Sequence, residues 1–136
     1  MSKQTDFIQP VVMRAIQHKL ERLLDAVPAI TGVFLATDDG FELTQAVSGR
    51  ETAPARLAAM CSSMVALSHA LAQESELGES ENLLIEARKG KILLLTIPAT
   101  PKLSLTVIAT PSATLGQVLA QSKLCVAQVR EIMQLI

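Results

Sequence analysis

A long, alanine-rich stretch with almost no charge is the feature that most constrains how this chain can fold. Residues 53–77 are predicted to form one helix, and from Leu57 to Gln73 the only ionisable groups are Cys61 and His69. At a rise of about 1.5 Å per residue, such a helix spans close to 40 Å. A solvated helix of this length usually carries more Lys, Glu and Arg, so we expect it to be covered on a second side.

Placing residues at about 100° per position sorts this helix into two apolar sides. The side with large residues is expected to pack on the protein's own sheet; it holds Leu57, Met60, Cys61, Met64, Leu67 and Leu71. The opposite side holds the small residues Ala55, Ala59, Ser63, Ala66 and Ala70. Small side chains let another backbone approach closely, so this side is predicted to contact a second copy of the helix across a twofold axis. The alternative is a plain solvated face, because alanine is a strong helix former.

The remaining pattern predicts an α+β domain. Helices are expected over residues 10–26 and after Pro111, and strands over 32–37, 41–47, 82–88, 91–98 and 102–110. Tight turns at Asp38-Asp39-Gly40 and Lys89-Gly90-Lys91 make most of the sheet antiparallel. The order is therefore helix, two strands, helix, three strands, helix, with helices on both faces of a five-stranded sheet.

Local signals also predict where two of the helices end. Gly78 is expected to be the glycine that follows the last turn of the middle helix. Thr114 and Gln117 have the spacing of a capping box at the start of the last helix.

Length and composition favour one domain with an aliphatic core. The 136 residues fit a single domain over residues 1–136, of which 1–9 are expected to be an irregular N-terminal segment. Hydrophobic residues make up 49% of the chain, yet there is no Trp, no Tyr and only three Phe. Cys61 and Cys125 both lie in apolar helical stripes, so we expect two buried, reduced thiols rather than a disulfide or a metal site.

Charge and hydropathy exclude several kinds of partner. A net charge of −1 provides no field for nucleic acid, and with three Phe and no Trp or Tyr the chain has few of the aromatic residues on which single-strand readers stack bases. No apolar run approaches the roughly 18 residues of a membrane span, and residues 1–10 contain no signal-peptide core. We therefore expect no nucleic-acid partner, no direct membrane insertion and a cytoplasmic location.

The residues contain no recognisable motif for catalysis, a cofactor or a metal. Neither G-x-x-x-x-G-K-[ST] nor G-x-G-x-x-G is present, and no Cys/His pair has metal-ligand spacing. His18 and His69 are expected at surface or boundary positions, and Asp38 and Asp39 as turn formers. We therefore predict a non-enzymatic protein with no catalytic residue, no cofactor and no metal.

The ordered set of elements resembles the roadblock family, whose members include roadblock-type dynein light chains and bacterial regulators of Ras-like GTPases. The resemblance covers residues 20–133 and rests on the hairpin region 30–43, the small-residue helix, the strand segments 82–88 and 90–95, and the final strand and helix. It implies a sheet of order 2-1-5-4-3 with the middle helix on one face and the outer two on the other. It also implies a homodimer that pairs middle helices and third strands, which adds Asn82, Leu84 and Glu86 to the expected interface.

The resemblance implies a homodimeric scaffold or regulator that binds a small Ras-like GTPase and modulates its activity or location. Two alternatives stay open. One is a structural adaptor in a motor or signalling assembly that is independent of GTPases. The other is a small-molecule sensor, which would need a polar-lined cavity that this aliphatic core scarcely supplies.

Overall fold

Three helices and five strands make up the described part of the molecule. The computed structural model describes residues 8–49 and 54–135, except for the side chains of Pro54 and Ala55. Most of the predicted N-terminal segment, residues 1–9, therefore lies outside the described residues. The elements are α1 (Pro10–Ala26), β1 (Ile30–Thr37), β2 (Glu42–Val47), α2 (Pro54–Glu74), β3 (Asn82–Ala87), β4 (Gly90–Ile97), β5 (Leu103–Ala109) and α3 (Leu115–Met133). Within the described ranges, no helix has the length and apolarity needed to cross a membrane.

All five strands form one antiparallel sheet in the order β2-β1-β5-β4-β3. This confirms the predicted α+β class, the order of the elements and the sheet order. The two edge strands are β2 and β3, so the central positions are taken by β1, β5 and β4.

The main core lies between the sheet and the pair formed by α1 and α3. The predicted apolar spacing of α1 is confirmed, because Ile16, Leu20 and Leu23 are all buried. The facing positions of α3 are Val118, Ser122, Cys125, Val129 and Met133. They close over inward-pointing strand residues such as Leu35, Leu93 and Leu105. The core is aliphatic, as the composition predicted.

The end of α2 differs from the predicted one. The helix stops at Glu74, and Glu76, with φ of 58°, takes the left-handed position directly after the last turn; Gly78 also has a positive φ, of 84°, but lies two residues beyond it. The Leu77 amide donates to the Ala72 carbonyl at 2.8 Å and the Glu76 amide to the Gln73 carbonyl at 3.0 Å. These two bonds are those of a Schellman motif, which satisfies carbonyls of the last helical turn. The helix therefore ends three residues before the predicted end at Leu77.

The predicted capping box at the start of α3 is wrong. Thr114 is the residue before the helix, but its side chain makes no capping hydrogen bond. Thr114 and Gln117 are both exposed. Water can satisfy the first amides of a helix that begins at the surface, so the side-chain bonds are not required there.

One of the two predicted turns is confirmed and the other is displaced by a residue. At residues 38–40, Thr37 Oγ1 donates to Asp39 Oδ1 at 2.6 Å and Gly40 has φ of 96°. The β3–β4 turn consists of residues 88 and 89, because Ala87 and Gly90 form the closing pair. Gly90 belongs to β4, where a Cβ would lie 2.5 Å from the Ala109 carbonyl oxygen. Glycine is needed there for close approach to β5.

Candidate interaction surface

The outer side of α2 exposes a row of large apolar side chains, which we call the large-residue stripe. Met60 is 59% exposed, Met64 38%, Leu67 65% and Leu71 71%. The prediction that these residues pack on the sheet is therefore wrong, and of the predicted inner side only Cys61 is buried while Leu57 is half-buried. Isolated exposed leucines are ordinary, but a contiguous stripe of this kind marks an interaction site.

Smaller side chains take the inner side of α2. Ala58, Cys61 and Val65 are buried, and Cys61 and Val65 pack on Leu94 of β4. Across the neighbouring strands, Leu94 is aligned with Thr106 and then with Phe34. Because Leu94 and Phe34 already project large side chains from this row, small residues on the inner side let α2 lie close to the sheet, and its bulkier residues point outward.

The two exposed stripes of α2 lie on opposite flanks. Ser62 Oγ donates to the Asp38 carbonyl at 2.8 Å, so the flank next to Ser62 faces the β1–β2 hairpin. The flank next to Cys61 faces β4 and β3, because its cluster includes Leu83 and Ile85. At about 100° per residue, the large-residue stripe falls on the β3 flank. The predicted interface residues Ala59, Ser63, Ala66 and Ala70, which we call the small-residue stripe, are exposed on the hairpin flank. The side chain of the remaining predicted helix residue, Ala55, lies outside the description.

The free edge of β3 presents backbone groups without a strand partner among the described residues. In an antiparallel ladder, alternate residues bond to the neighbouring strand and the residues between them point away from it. Thr96 N donates to the Glu81 carbonyl at 3.3 Å, which places Glu81, Leu83 and Ile85 in the set that faces β4. The outward set is then Asn82, Leu84 and Glu86. These are the three strand residues that the sequence predicted for an interface.

The other edge of the sheet is covered by α1. Ser48 N donates to the Thr31 carbonyl at 3.0 Å, so by the same alternation the Gln45 carbonyl points away from β1. Gln17 of α1 occupies it, since its Nε2 donates to Gln45 O at 2.7 Å. Thr44 Oγ1 donates in turn to Gln17 Oε1. Edge strands that are blocked in this way resist pairing with another chain, so β3 is the edge that can accept one.

His69 and the two cysteines, which the structure describes, have contacts that serve the fold. His69 is half-buried, as predicted for a boundary residue, and its Nδ1 accepts the Ser80 amide at 3.2 Å. Cys61 and Cys125 are free and buried, so their predicted burial is confirmed. Burial raises the pKa of the Cys125 thiol to about 12, so the nucleophilic thiolate is disfavoured at neutral pH. In the described ranges, no three His, Cys, Asp or Glu side chains are grouped to hold a metal ion.

The described surface combines an unpaired edge strand with an exposed apolar helix stripe, two features that are typical of protein-interaction sites. The family model of the Roadblock/LC7 domain matches residues 16–109. Because that match covers more than half of the chain, the protein belongs to the Roadblock/LC7 domain family, which confirms the resemblance drawn from its sequence. No curated protein sequence matches the chain significantly.

Solved structures share the fold over nearly the full chain. MglB from Myxococcus xanthus has a TM-score of 0.81 at 22% identity, with 90% of both chains covered. The gliding protein MglB from Thermus thermophilus has a TM-score of 0.85 at 16% identity, with 94% of this chain and 95% of that one covered. An MglB with tetrameric arrangement has a TM-score of 0.84 at 17% identity, with 93% of both chains covered. At these identities the likeness shows the fold alone.

Proposed function

We propose that this chain is a non-enzymatic, homodimeric scaffold that binds a small Ras-like GTPase in the cytoplasm and modulates its activity or location. The observation that carries the proposal is the large-residue stripe of α2 beside the open edge of β3. Membership of a family whose members include regulators of Ras-like GTPases supports the choice of partner. The similarity to MglB structures, one of them in a tetrameric arrangement, supports self-association.

The apolar part of this surface is large enough to drive self-association. Complete burial of a Leu or Met side chain stabilises by about 1.5–3 kcal/mol. The four side chains are between 38% and 71% exposed, so each would contribute about 1 kcal/mol on being covered. A twofold axis brings every one of them into the contact twice, which offsets part of the entropy lost on association.

We propose that the dimer contact combines the large-residue stripe with Asn82, Leu84 and Glu86 of β3. Both features face the same flank of the molecule, so one partner subunit can cover them together. The small-residue stripe, with Ala55 at its start, is the competing contact for the helix pair. It requires the two helices to meet on the hairpin flank, away from β3.

In a GTPase complex, this chain would act by holding the GTPase's own catalytic residues in place. Most of the catalysis in phosphoryl transfer consists of positioning and charge stabilisation, which a bound scaffold can alter without donating a side chain. The expected effect is therefore a change in the hydrolysis rate or in the location of the GTPase, with no reaction by this chain alone.

The test is binding of the purified protein to small GTPases of the same cell, each loaded with GDP and with a non-hydrolysable GTP analogue. We expect preferential binding in one nucleotide state and a changed single-turnover hydrolysis rate. Absence of binding in both states would refute the GTPase proposal. Capture of a partner that is not a GTPase, with affinity independent of nucleotide, would favour the structural-adaptor alternative.

A further inference from the structure

His69 joins three separate elements near the end of α2. Its Nδ1 accepts the Ser80 amide at 3.2 Å, and its Nε2 lies 3.5 Å from Thr96 Oγ1 of β4. Ser80 belongs to the connection between α2 and β3, and all three residues are half-buried. The imidazole ring therefore ties the helix both to this connection and to the sheet.

The two contacts are compatible only with a neutral ring. A backbone N–H can only donate, so Nδ1 must keep its lone pair in order to accept the Ser80 amide. The single proton of the neutral ring then lies on Nε2, which donates to Thr96 Oγ1. A second proton would occupy Nδ1, so that two donors would face each other. Protonation of His69 therefore removes the hydrogen bond to Ser80.

The connection between α2 and β3 depends on this hydrogen bond. Within the described part of the chain, it is the only hydrogen bond that residues 78–80 make. The next bond along the chain joins the Thr96 amide to the Glu81 carbonyl at 3.3 Å, where the ladder of β3 and β4 begins. Segments with few hydrogen bonds open locally at a small cost in free energy. Loss of the Ser80 bond therefore frees the connection as far as Glu81.

We infer that His69 is a pH-sensitive link: the neutral ring fixes the α2–β3 connection to the helix, and the protonated ring releases it. Histidine is the side chain that ordinarily changes its charge between about pH 5 and 8, so the release falls near neutral pH. Through the connection, His69 positions the end of α2 and the start of β3, which carry the proposed dimer contact. Acidification should therefore weaken self-association. This consequence rests on the proposed function, whereas the release of the connection does not.

Carboxylates in the connection favour the released form once the ring is protonated. Glu79 and Glu81 flank Ser80, and Glu76 lies earlier in the same segment. All three are exposed, and none forms an ion pair within the described residues. A carboxylate can accept from a protonated Nδ1 after the Ser80 amide has turned away. Attraction between the imidazolium and a carboxylate therefore acts in the same direction as the loss of the amide bond.

The other elements around the link supply little opposing charge. On α2, the residues one turn before and after His69 are uncharged, and Glu74 lies about 140° further round the helix. The last residues of β4 and the first of β3 are uncharged as well. The cations at this end of the sheet are Lys102, before β5, and Lys123 of α3, which lines a cleft with Ser80. Both are exposed, so solvent and salt screen their repulsion of a protonated ring.

Amide hydrogen exchange, measured by NMR on the full-length protein, tests the link directly. The readout is the protection factor, the ratio of the intrinsic to the observed exchange rate, which removes the pH dependence of exchange itself. For the Ser80 amide it should fall at least about fivefold from about pH 7.5 to about pH 5.5, as one hydrogen bond is lost. The nitrogen shifts of the His69 ring should titrate with the same midpoint. Over this range, the Kd of self-association should rise at least about threefold, because the contact must be ordered again on binding.

Two variants separate His69 from other effects of pH. In His69→Asn, the side-chain Oδ1 takes the place of Nδ1 and cannot be protonated in this range, so it should keep the Ser80 amide protected and the Kd constant at both pH values. His18→Gln is the matched control, because His18 is the other histidine of the chain and is exposed. This variant should retain the full pH dependence of the wild type. Thermal unfolding at the higher pH checks that both variants fold.

Equal protection of the wild-type Ser80 amide at both pH values would overturn the link. Different midpoints for the His69 ring and the Ser80 amide would also overturn it, and this measurement needs no variant. A pH dependence that survives in His69→Asn would assign the change to another group. Loss of Ser80 protection in a wild type that is monomeric would support the link and refute the dimer of the proposed function instead.

Discussion

Leu67→Glu should dissociate the proposed dimer, whereas Ala66→Glu on the same turn of α2 should have a much smaller effect. Leu67 is 65% exposed and belongs to the large-residue stripe on the β3 flank. Ala66 is also exposed but lies about 100° away, on the flank that faces the β1–β2 hairpin. The two substitutions introduce the same charge on the same helix, so the comparison isolates the side of α2 that meets the partner.

The expected magnitude follows from burial. Full burial of a leucine stabilises by about 2 kcal/mol, so the exposed fraction of Leu67 accounts for about 1 kcal/mol in each subunit. A glutamate left unpaired in an apolar contact adds a cost of several kcal/mol. A total loss of at least about 3 kcal/mol corresponds to a Kd more than about a hundredfold higher. Ala66→Glu should change the Kd by less than about threefold if the small-residue stripe is not covered.

Sedimentation velocity over a concentration series gives the Kd of each variant. Thermal unfolding of the monomer provides the control, because both residues are exposed and neither substitution should lower the monomer's midpoint appreciably. Dissociation by Ala66→Glu alone would refute this reasoning and would place the helix pair on the small-residue stripe. If both variants keep the wild-type Kd, α2 is not part of the interface.

Three further predictions concern the fold. Glu76→Gly should raise the free energy of unfolding, measured in urea, by about 1 kcal/mol, since glycine adopts the left-handed conformation without the steric strain of a side chain. The control Glu74→Gly, within the helix, should lower the free energy of unfolding by about 1 kcal/mol. Gln17→Ala should cost about 1 kcal/mol and increase concentration-dependent aggregation in light scattering, because it uncovers the edge carbonyl of Gln45; a fully soluble variant would contradict that role. The free energy of unfolding should fall as pH rises from 9.0, the ordinary pKa of a thiol, to about 12, the pKa of folded Cys125, because the thiol loses its proton first in the unfolded chain. Cys125→Ala should flatten this part of the stability profile, and an unchanged slope would contradict the assignment to Cys125.

The order of elements and most of the sheet could be predicted from sequence because the signals are local. The Asp38-Asp39-Gly40 turn requires positive φ at its glycine, and the helix over residues 10–26 shows its buried side through the spacing of Ile16, Leu20 and Leu23. The antiparallel arrangement follows from the short connections. The β3 residues Asn82, Leu84 and Glu86 came from family resemblance, and the structure adds the physical reason, namely outward backbone groups.

Tertiary structure decided which side of α2 meets the sheet. A helix with two apolar sides does not show by its pattern which side is buried. The prediction therefore followed hydrophobicity alone and placed the side of Met60, Met64 and Leu67 against the sheet. The choice depends on the space left above Phe34 and Leu94, a relation between residues far apart in sequence. The sequence alone determined that α2 has two apolar sides and few charges; the packing limit above the sheet decided that small residues go inward and left the large ones free for a partner.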